Sequence, residues 1–326
     1  MKTVAFFDTK TYDREAFENY KNEDINIKFF ENKLNLDTVS MAAGCDAVCV
    51  FVNDTVDKFV IEKLAELGVG LIALRCAGYN NVDLNAAMGK IKVVRVPAYS
   101  PHAVAEHTMG MILTLNRKLH RAYIRTRDHN FSLEGLTGFV LNDKTVGIIG
   151  TGKIGRCFAD ICKGFSMNIL GFDPQPSPEF CGKYVSMEEL FAGSDIISLH
   201  CPLTKENRHL INSVSISKMK KKVFIINTSR GRLIDTDSLI DGLKSGQVGA
   251  AGLDVYEEET EVFFEDFSDE IIKDDTLATL ISMPNVLVTS HQAFLTYEAL
   301  DEIAKTTMEN LRRFFAGEVL DDEVTL

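Results

Sequence analysis

Gly150-Thr151-Gly152-Lys153-Ile154-Gly155 follows an apolar run and opens a stretch with helical spacing. In that setting the first glycine makes a tight turn, the second lets backbone approach a pyrophosphate, and the third permits close helix–strand packing. The helix N-terminus then offers its N–H groups and dipole to the anion. Taken alone, such a turn is as readily a purely structural loop. A second apolar run, however, ends at Asp173, 23 positions after Gly150. That is the distance at which a carboxylate holds the ribose hydroxyls of a dinucleotide. The same carboxylate would repel a 2′-phosphate, and Pro174-Gln175-Pro176 supplies no Arg to receive one. NAD is therefore expected rather than NADP. Three more charged groups end apolar runs: Arg230 after Asn227-Thr228-Ser229, Asp254 before Val255-Tyr256-Glu257-Glu258-Glu259, and His291. Their ordinary readings are a surface Arg, a solvated acidic face and a structural His. The carboxyl ends of strands in open α/β sheets are where ligands bind, which sets a functional reading beside the ordinary one.

Those residues need strands to end on. Short runs rich in Val, Ile or Phe at 3–7, 25–30, 47–51, 71–74 and 91–96 alternate with helix-like stretches at 12–20, 36–43, 56–67 and 83–88. Strict alternation implies parallel strands with crossover helices, hence a first α/β unit of about 100 residues. At Tyr99-Ser100-Pro101 the pattern changes: Ser100 is a good N-cap and Pro101 suits the first helical position. With only Gly110 interrupting, a single helix is expected from 101 to about 127, with Met109, Ile112, Leu113 and Leu119 on its apolar side. A second series follows. Its expected strands are 145–149, 168–172, 196–200, 223–227, 249–255 and 286–289, with helices at 153–164, 187–191 and 235–244. A last helix at 297–315 is expected to return to the first unit. The expected fold is α/β with two doubly wound parallel sheets. A Rossmann NAD domain (101–297) is inserted in a flavodoxin-like substrate domain (1–100 and 298–326).

Composition excludes several classes. Net charge is -12, which repels polyanions and argues against nucleic acid or an acidic membrane surface. No apolar run reaches the length of a membrane helix, and Asp8 cuts the N-terminal apolar run too short for a signal segment. The seven cysteines form no C-x-x-C pair, so reduced, packed thiols, no metal and a cytoplasmic location are expected.

The order of glycine turn, Asp173, Thr-Ser-Arg-Gly, Asp-Val-Tyr and late His resembles the D-isomer-specific 2-hydroxyacid dehydrogenases, most of all their fermentative, D-lactate-forming branch. The likeness runs end to end. It includes Arg75-Cys76-Ala77-Gly78-Tyr79-Asn80-Asn81-Val82-Asp83, His200-Cys201-Pro202-Leu203-Thr204, the acidic segment 257–282 and His291-Gln292-Ala293-Phe294. The resemblance implies reversible reduction of a small 2-oxo acid such as pyruvate by NADH. His291 would be the proton donor, Glu259 the carboxylate favouring its cation, and Arg230 the fork on the substrate carboxylate. The Asp-Val-Tyr-x-x-Glu spacing points to Glu259, with Glu258 as the adjacent rival. His200 also ends a strand, but it precedes Cys201-Pro202 in the cofactor wall and ranks below His291. Cofactor contacts are implied for Gly150, Gly152, Lys153, Ile154, Gly155, Asp173, Cys201, Pro202, Asn207, Thr228, Ser229, Arg230 and Asp254. Backbone at Cys76, Ala77 and Gly78 would bind the substrate carboxylate, and Tyr99 and Phe294 would border its methyl group. The resemblance also implies a homodimer or homotetramer. Alternatives are a dehydrogenase for a bulkier or phosphorylated 2-oxo acid and, from another class, an NAD-sensing binding protein. The chain ends soon after its last helix, so no appended regulatory domain is expected.

Overall fold

The computed structural model describes residues 1–325 apart from 22, 258–262, 264–266 and 269–270. Two compact units emerge, one of Met1–Ser100 with Leu295–Leu326 and one of Pro101–Phe294. The return to the first unit thus falls three residues before the expected 298, ahead of the helix Tyr297–Ala316 rather than inside its first turn.

In the first unit, β1 (Lys2–Phe6), β2 (Ile25–Phe29), β3 (Ala47–Val50), β4 (Leu71–Leu74) and β5 (Lys92–Arg95) form one parallel sheet. Its order is β2-β1-β3-β4-β5, the flavodoxin-like arrangement. β3 and β4 are buried along their whole length, which is why they read as unbroken apolar runs rather than alternating ones. Ala304, Met308 and Leu311 of the helix Tyr297–Ala316 pack with Val4, Phe6, Cys49 and Leu71 in the core of this unit.

In the second unit, the strands are β6 (Thr145–Ile149), β7 (Asn168–Phe172), β8 (Lys183–Tyr184), β9 (Ile196–Leu199), β10 (Val223–Asn227), β11 (Val248–Leu253) and β12 (Val286–Val288). They lie in the order β12-β11-β10-β9-β6-β7-β8, all parallel. Read from the far edge this is the 3-2-1-4-5-6 Rossmann order extended by one strand, with its reversal between β6 and β9. Two apolar clusters are built from its side chains, one around Phe158 and Ile148 and one around Ile225 and Leu253. Among the described residues, no helix is long and apolar enough to cross a membrane.

Several expected elements differ. The stretch 36–43 forms only the 3-10 turn Val39–Ala42. The two-residue β8 and the helices Ser213–Ser217 and Asp275–Ser282 were not anticipated, being too short or too polar to show a period. The long helix is two, Pro101–Arg117 and Leu119–Arg127, broken at Lys118 with φ +52°. Neither Gly nor Pro marks the break; distant contacts make it. Asn116 exchanges two 2.8 Å hydrogen bonds with the backbone of Phe139, and Lys118 Nζ donates to the Thr137 carbonyl at 2.7 Å. The break carries Leu119 off the apolar face, and it is exposed. Of the seven thiols, Cys45, Cys49, Cys76 and Cys162 are buried as expected of small hydrophobes, but Cys181 is exposed.

Candidate active site

All strands of the second sheet run the same way, so the residues that follow them share one edge. Gly150 follows β6, Asp173 follows β7, His200 and Cys201 follow β9, Thr228–Arg230 follow β10, Asp254 follows β11, and His291 lies just past β12.

The glycine turn has the expected division of labour. Gly150 sits at φ +93°, and a Cβ there would lie 2.6 Å from the backbone of His200 and Cys201. A Cβ on Gly155 would collide with the Gly150 carbonyl, which is what brings the helix onto the strand. Gly152 faces open space and carries no side-chain cap at the head of the helix Lys153–Gly164. The first-turn amides of Lys153 and Ile154 therefore sit at an open helix terminus, which is able to receive an anionic group. Asp173 is half-buried, and its Oδ2 accepts from the Thr151 amide at 2.7 Å while Oδ1 accepts from the Gln175 amide at 2.9 Å. Those bonds fix the carboxylate beside the turn, where it would read the ribose. Tyr184 OH, 2.8 Å from Thr151 Oγ1, supports the same corner.

Cys201, Pro202 and Asn207 form a second wall. Asn207 Nδ2 donates to the Pro202 carbonyl at 2.7 Å, and Ser229 Oγ donates to the Cys201 carbonyl at 2.8 Å. Burial pushes the Cys201 thiol up to about 11, so it stays protonated. Thr228 Oγ1 lies 3.0 Å from Thr108 Oγ1, tying this wall to the helix Pro101–Arg117. Arg230 is half-buried; its carbonyl accepts from Asn227 Nδ2 at 2.9 Å, and its Nη1 donates to the Ser229 carbonyl at 2.6 Å.

His291 is held in an unusual way. Its φ is +52°, left-handed for a residue with a Cβ, a conformation that costs about 1–2 kcal/mol and persists where the surroundings over-determine it. Asp254 does this. Its carbonyl accepts the His291 amide at 2.7 Å, and its wholly buried carboxylate accepts Gln292 N at 2.9 Å, Ala293 N at 2.9 Å and Thr289 Oγ1 at 2.5 Å. His107 Nε2 stands 3.4 Å from the same carboxylate and 3.2 Å from Thr289 Oγ1. Asp254 thus acts here as an anchor of the His291 loop. His107, Thr108, Thr289 and Tyr184 carried no motif, and only the fold brings them to this edge. Phe294 is buried at the end of the loop.

His200, the rival acid, stands 2.9 Å from Ser198 Oγ and 5.1 Å from the Phe158 ring. Loss of hydration drives its pKa down to about 3, so it is neutral near pH 7 and unsuited to donate a proton as a cation. Glu259 and its rival Glu258 lie outside the described residues. Glu257, in a run whose ordinary reading is a solvated face, is half-buried against His209 and Thr236.

In the first unit, Cys76-Ala77-Gly78 follow β4. The Cys76 carbonyl accepts Val96 N at 3.2 Å, and the Ala77 carbonyl accepts Arg95 Nη1 at 2.9 Å. In a trans peptide the N–H points opposite to the C=O, so the amides of Ala77 and Gly78 face away from those partners. Arg95 also stacks 5.1 Å over the Tyr79 ring, bracing the loop, and Tyr99 is half-exposed beyond β5.

A glycine turn opening an uncapped helix, with groups able to handle protons and carboxylates set along the same edge of one Rossmann sheet, defines the class as the dinucleotide-dependent oxidoreductases. Comparison with known proteins narrows it. Residues 109–293 match the model of the D-isomer specific 2-hydroxyacid dehydrogenase, NAD binding domain. The chain is 54% identical to a 2-hydroxyacid dehydrogenase homolog of Haemophilus influenzae, over 98% of each chain. It is 52% identical to the D-lactate dehydrogenase of Escherichia coli, over 98% of this chain and 99% of that one. The solved apo-structure of D-lactate dehydrogenase from Escherichia coli superposes with a TM-score of 0.90, covering 99% of this chain and all of that one at 49% identity. The NAD complex of a D-isomer specific 2-hydroxyacid dehydrogenase from Lactobacillus delbrueckii ssp. bulgaricus gives 0.83 at 31% identity, over 99% and 100%. The chain belongs to the D-isomer specific 2-hydroxyacid dehydrogenases and is an NAD-dependent oxidoreductase.

Proposed function

We propose that the chain is a D-lactate dehydrogenase that reduces pyruvate to D-lactate reversibly. The observation that carries this reading is the 52% identity to the Escherichia coli D-lactate dehydrogenase across essentially the whole of both chains. Bound NADH supplies the hydride that reaches the carbonyl carbon. His291 donates the proton to the carbonyl oxygen, and in the reverse direction the neutral imidazole takes it from the hydroxyl. Arg230 grips the substrate carboxylate with a bidentate fork that Lys could not offer, and the Ala77 and Gly78 amides bind the same group. Glu259 favours the imidazolium. Tyr99 and Phe294 border the methyl group. The domain division of substrate unit and NAD unit follows from the same assignment.

The test is direct. Purified protein with NADH and pyruvate should lose nicotinamide absorbance and yield the D isomer alone. His291→Gln should slow turnover by at least ~100-fold, the lower bound for losing a positioned proton donor, with NADH binding close to normal. Faster turnover with a branched or larger 2-oxo acid would move the substrate. NADH binding without turnover of any 2-oxo acid would leave only the NAD-sensing reading.

Assembly as a homo-oligomer in the cytoplasm belongs to the same proposal. Leu119, Tyr123, Ile124, Phe131, Leu133 and Val140 expose apolar surface on and after the helix Leu119–Arg127, a face suited to a second copy. Sedimentation of the chain as a 36.3 kDa monomer at micromolar concentration would sink that part.

A further inference from the structure

Glu257 opens the acidic segment, yet its carboxylate is turned inward. Its Oε1 lies 2.7 Å from His209 Nε2 and 3.9 Å from Arg208 Nη2, and its Oε2 accepts from Thr236 Oγ1 at 3.2 Å. His209 also reaches the other side of the cluster. Its amide donates to the Arg232 carbonyl at 2.9 Å, and its Nδ1 stands 4.0 Å from Asp235 Oδ1. Its φ of +53° is left-handed, a conformation kept where surrounding contacts over-determine it. The two stretches that His209 touches are pressed together one residue from Arg230, where a Cβ on Gly231 would collide with the Tyr256 carbonyl.

We propose that His209 is a positioning residue for substrate binding: bridging the Arg232 carbonyl and the Glu257 carboxylate, it fixes the Arg230 loop against the start of the acidic segment. This rests on the reading of Arg230 as the ligand of the substrate carboxylate. The loop is short and is held at both ends. Ser229 Oγ on the Cys201 carbonyl fixes the entry, and His209 fixes the exit. The backbone bond from His209 to Arg232 survives any side-chain change, so substitution isolates the link to Glu257. That link is charge-assisted by the carboxylate, and Gln can replace the imidazole's N–H donor. A bidentate fork tolerates little displacement, so loosening the exit should weaken substrate capture before it disturbs NADH, whose implied contacts are spread over several other segments of the sheet edge as well as this loop.

The experiment compares His209→Ala, His209→Gln, Glu257→Ala, the double alanine variant and Arg230→Gln. Readouts are pyruvate KM, kcat, NADH Kd from nicotinamide fluorescence, and thermal midpoint. His209→Ala and Glu257→Ala should each raise pyruvate KM roughly tenfold, the scale of a lost hydrogen bond to a charged group, with NADH Kd within twofold. His209→Gln should recover most of that loss, and the double variant should be no worse than Glu257→Ala, because the link between the two side chains is already gone in that variant. A lower thermal midpoint with unchanged KM, or KM and NADH Kd rising together, would make His209 merely structural and overturn the proposal. If His209→Ala does not fold, Glu257→Ala and His209→Gln decide by the same criteria. Arg230→Gln separates the two levels. If it leaves KM unchanged, the reading of Arg230 fails. If it raises KM while the His209 and Glu257 variants do not, only the positioning role fails.

Discussion

Replacing Asp254 by Asn keeps the side chain's shape but turns one acceptor oxygen into a donor. Oδ1 serves Thr289 Oγ1 and Gln292 N and stands 3.4 Å from His107 Nε2, whereas Oδ2 serves only Ala293 N among these groups. The amide would therefore leave its oxygen at the busier position and set its NH2 against the Ala293 N–H. Ala293 is 5% exposed, so water cannot readily replace the lost acceptor. One hydrogen bond to a charged group goes, at about 1.5–3 kcal/mol, and a buried N–H is left unsatisfied, at about 1–3 kcal/mol, for a total loss of about 2.5–6 kcal/mol. The same bond holds the loop that keeps His291 at φ +52°. A loop relaxed by even an ångström can slow chemistry by ~100-fold. Stability is best followed by urea unfolding with far-UV circular dichroism, since the chain has no Trp, and kcat by nicotinamide absorbance. Unfolding within ~0.5 kcal/mol of the unmodified protein, the scatter of a neutral surface change, together with an unchanged kcat, would refute the anchoring role. A stability loss with kcat intact would show that the placement of His291 does not depend on Asp254.

Asp173→Ala should weaken NADH binding more than NADPH binding, because it removes a ribose contact and a repulsion together; equal use of both cofactors by the unmodified protein would void the assignment. Glu259→Gln should move the upper limb of the pH profile for pyruvate reduction to lower pH, while Glu258→Gln leaves it in place; the reverse pattern would shift the role by one residue. His200 titrates near 6.5 when unfolded and near 3 when folded, so its contribution to stability is complete above 6.5 and is lost as pH falls from there towards 3. His200→Asn should therefore narrow the stability difference between pH 7.5 and pH 5 by about 1–2 kcal/mol in urea unfolding, and an unchanged difference would mean that the imidazole titrates in the folded protein as it does in the unfolded chain.

What could be read from the sequence was local. The alternation of strand and helix, the glycine turn and the carboxylate 23 positions later depend on neighbours along the chain, and parallel strands alone bring Arg230, Asp254 and His291 to one edge. Each glycine's role followed from steric limits that hold wherever a strand feeds a helix through such a turn. What the tertiary structure decided rests on pairs remote in sequence. Asp254 grips Ala293 from 39 positions away and His107 meets Thr289 across 182, so nothing near Asp254 in the chain showed that it also anchors the His291 loop. The helix break at Lys118 is set by Thr137 and Phe139, which no propensity at 101–127 records. Glu257 stood in a run of three glutamates that looked solvated, and became half-buried only because His209 and Thr236 come to it from two other segments. Local sterics and periodicity are written residue by residue, whereas the partner of a buried charge is fixed only once the chain has folded around it.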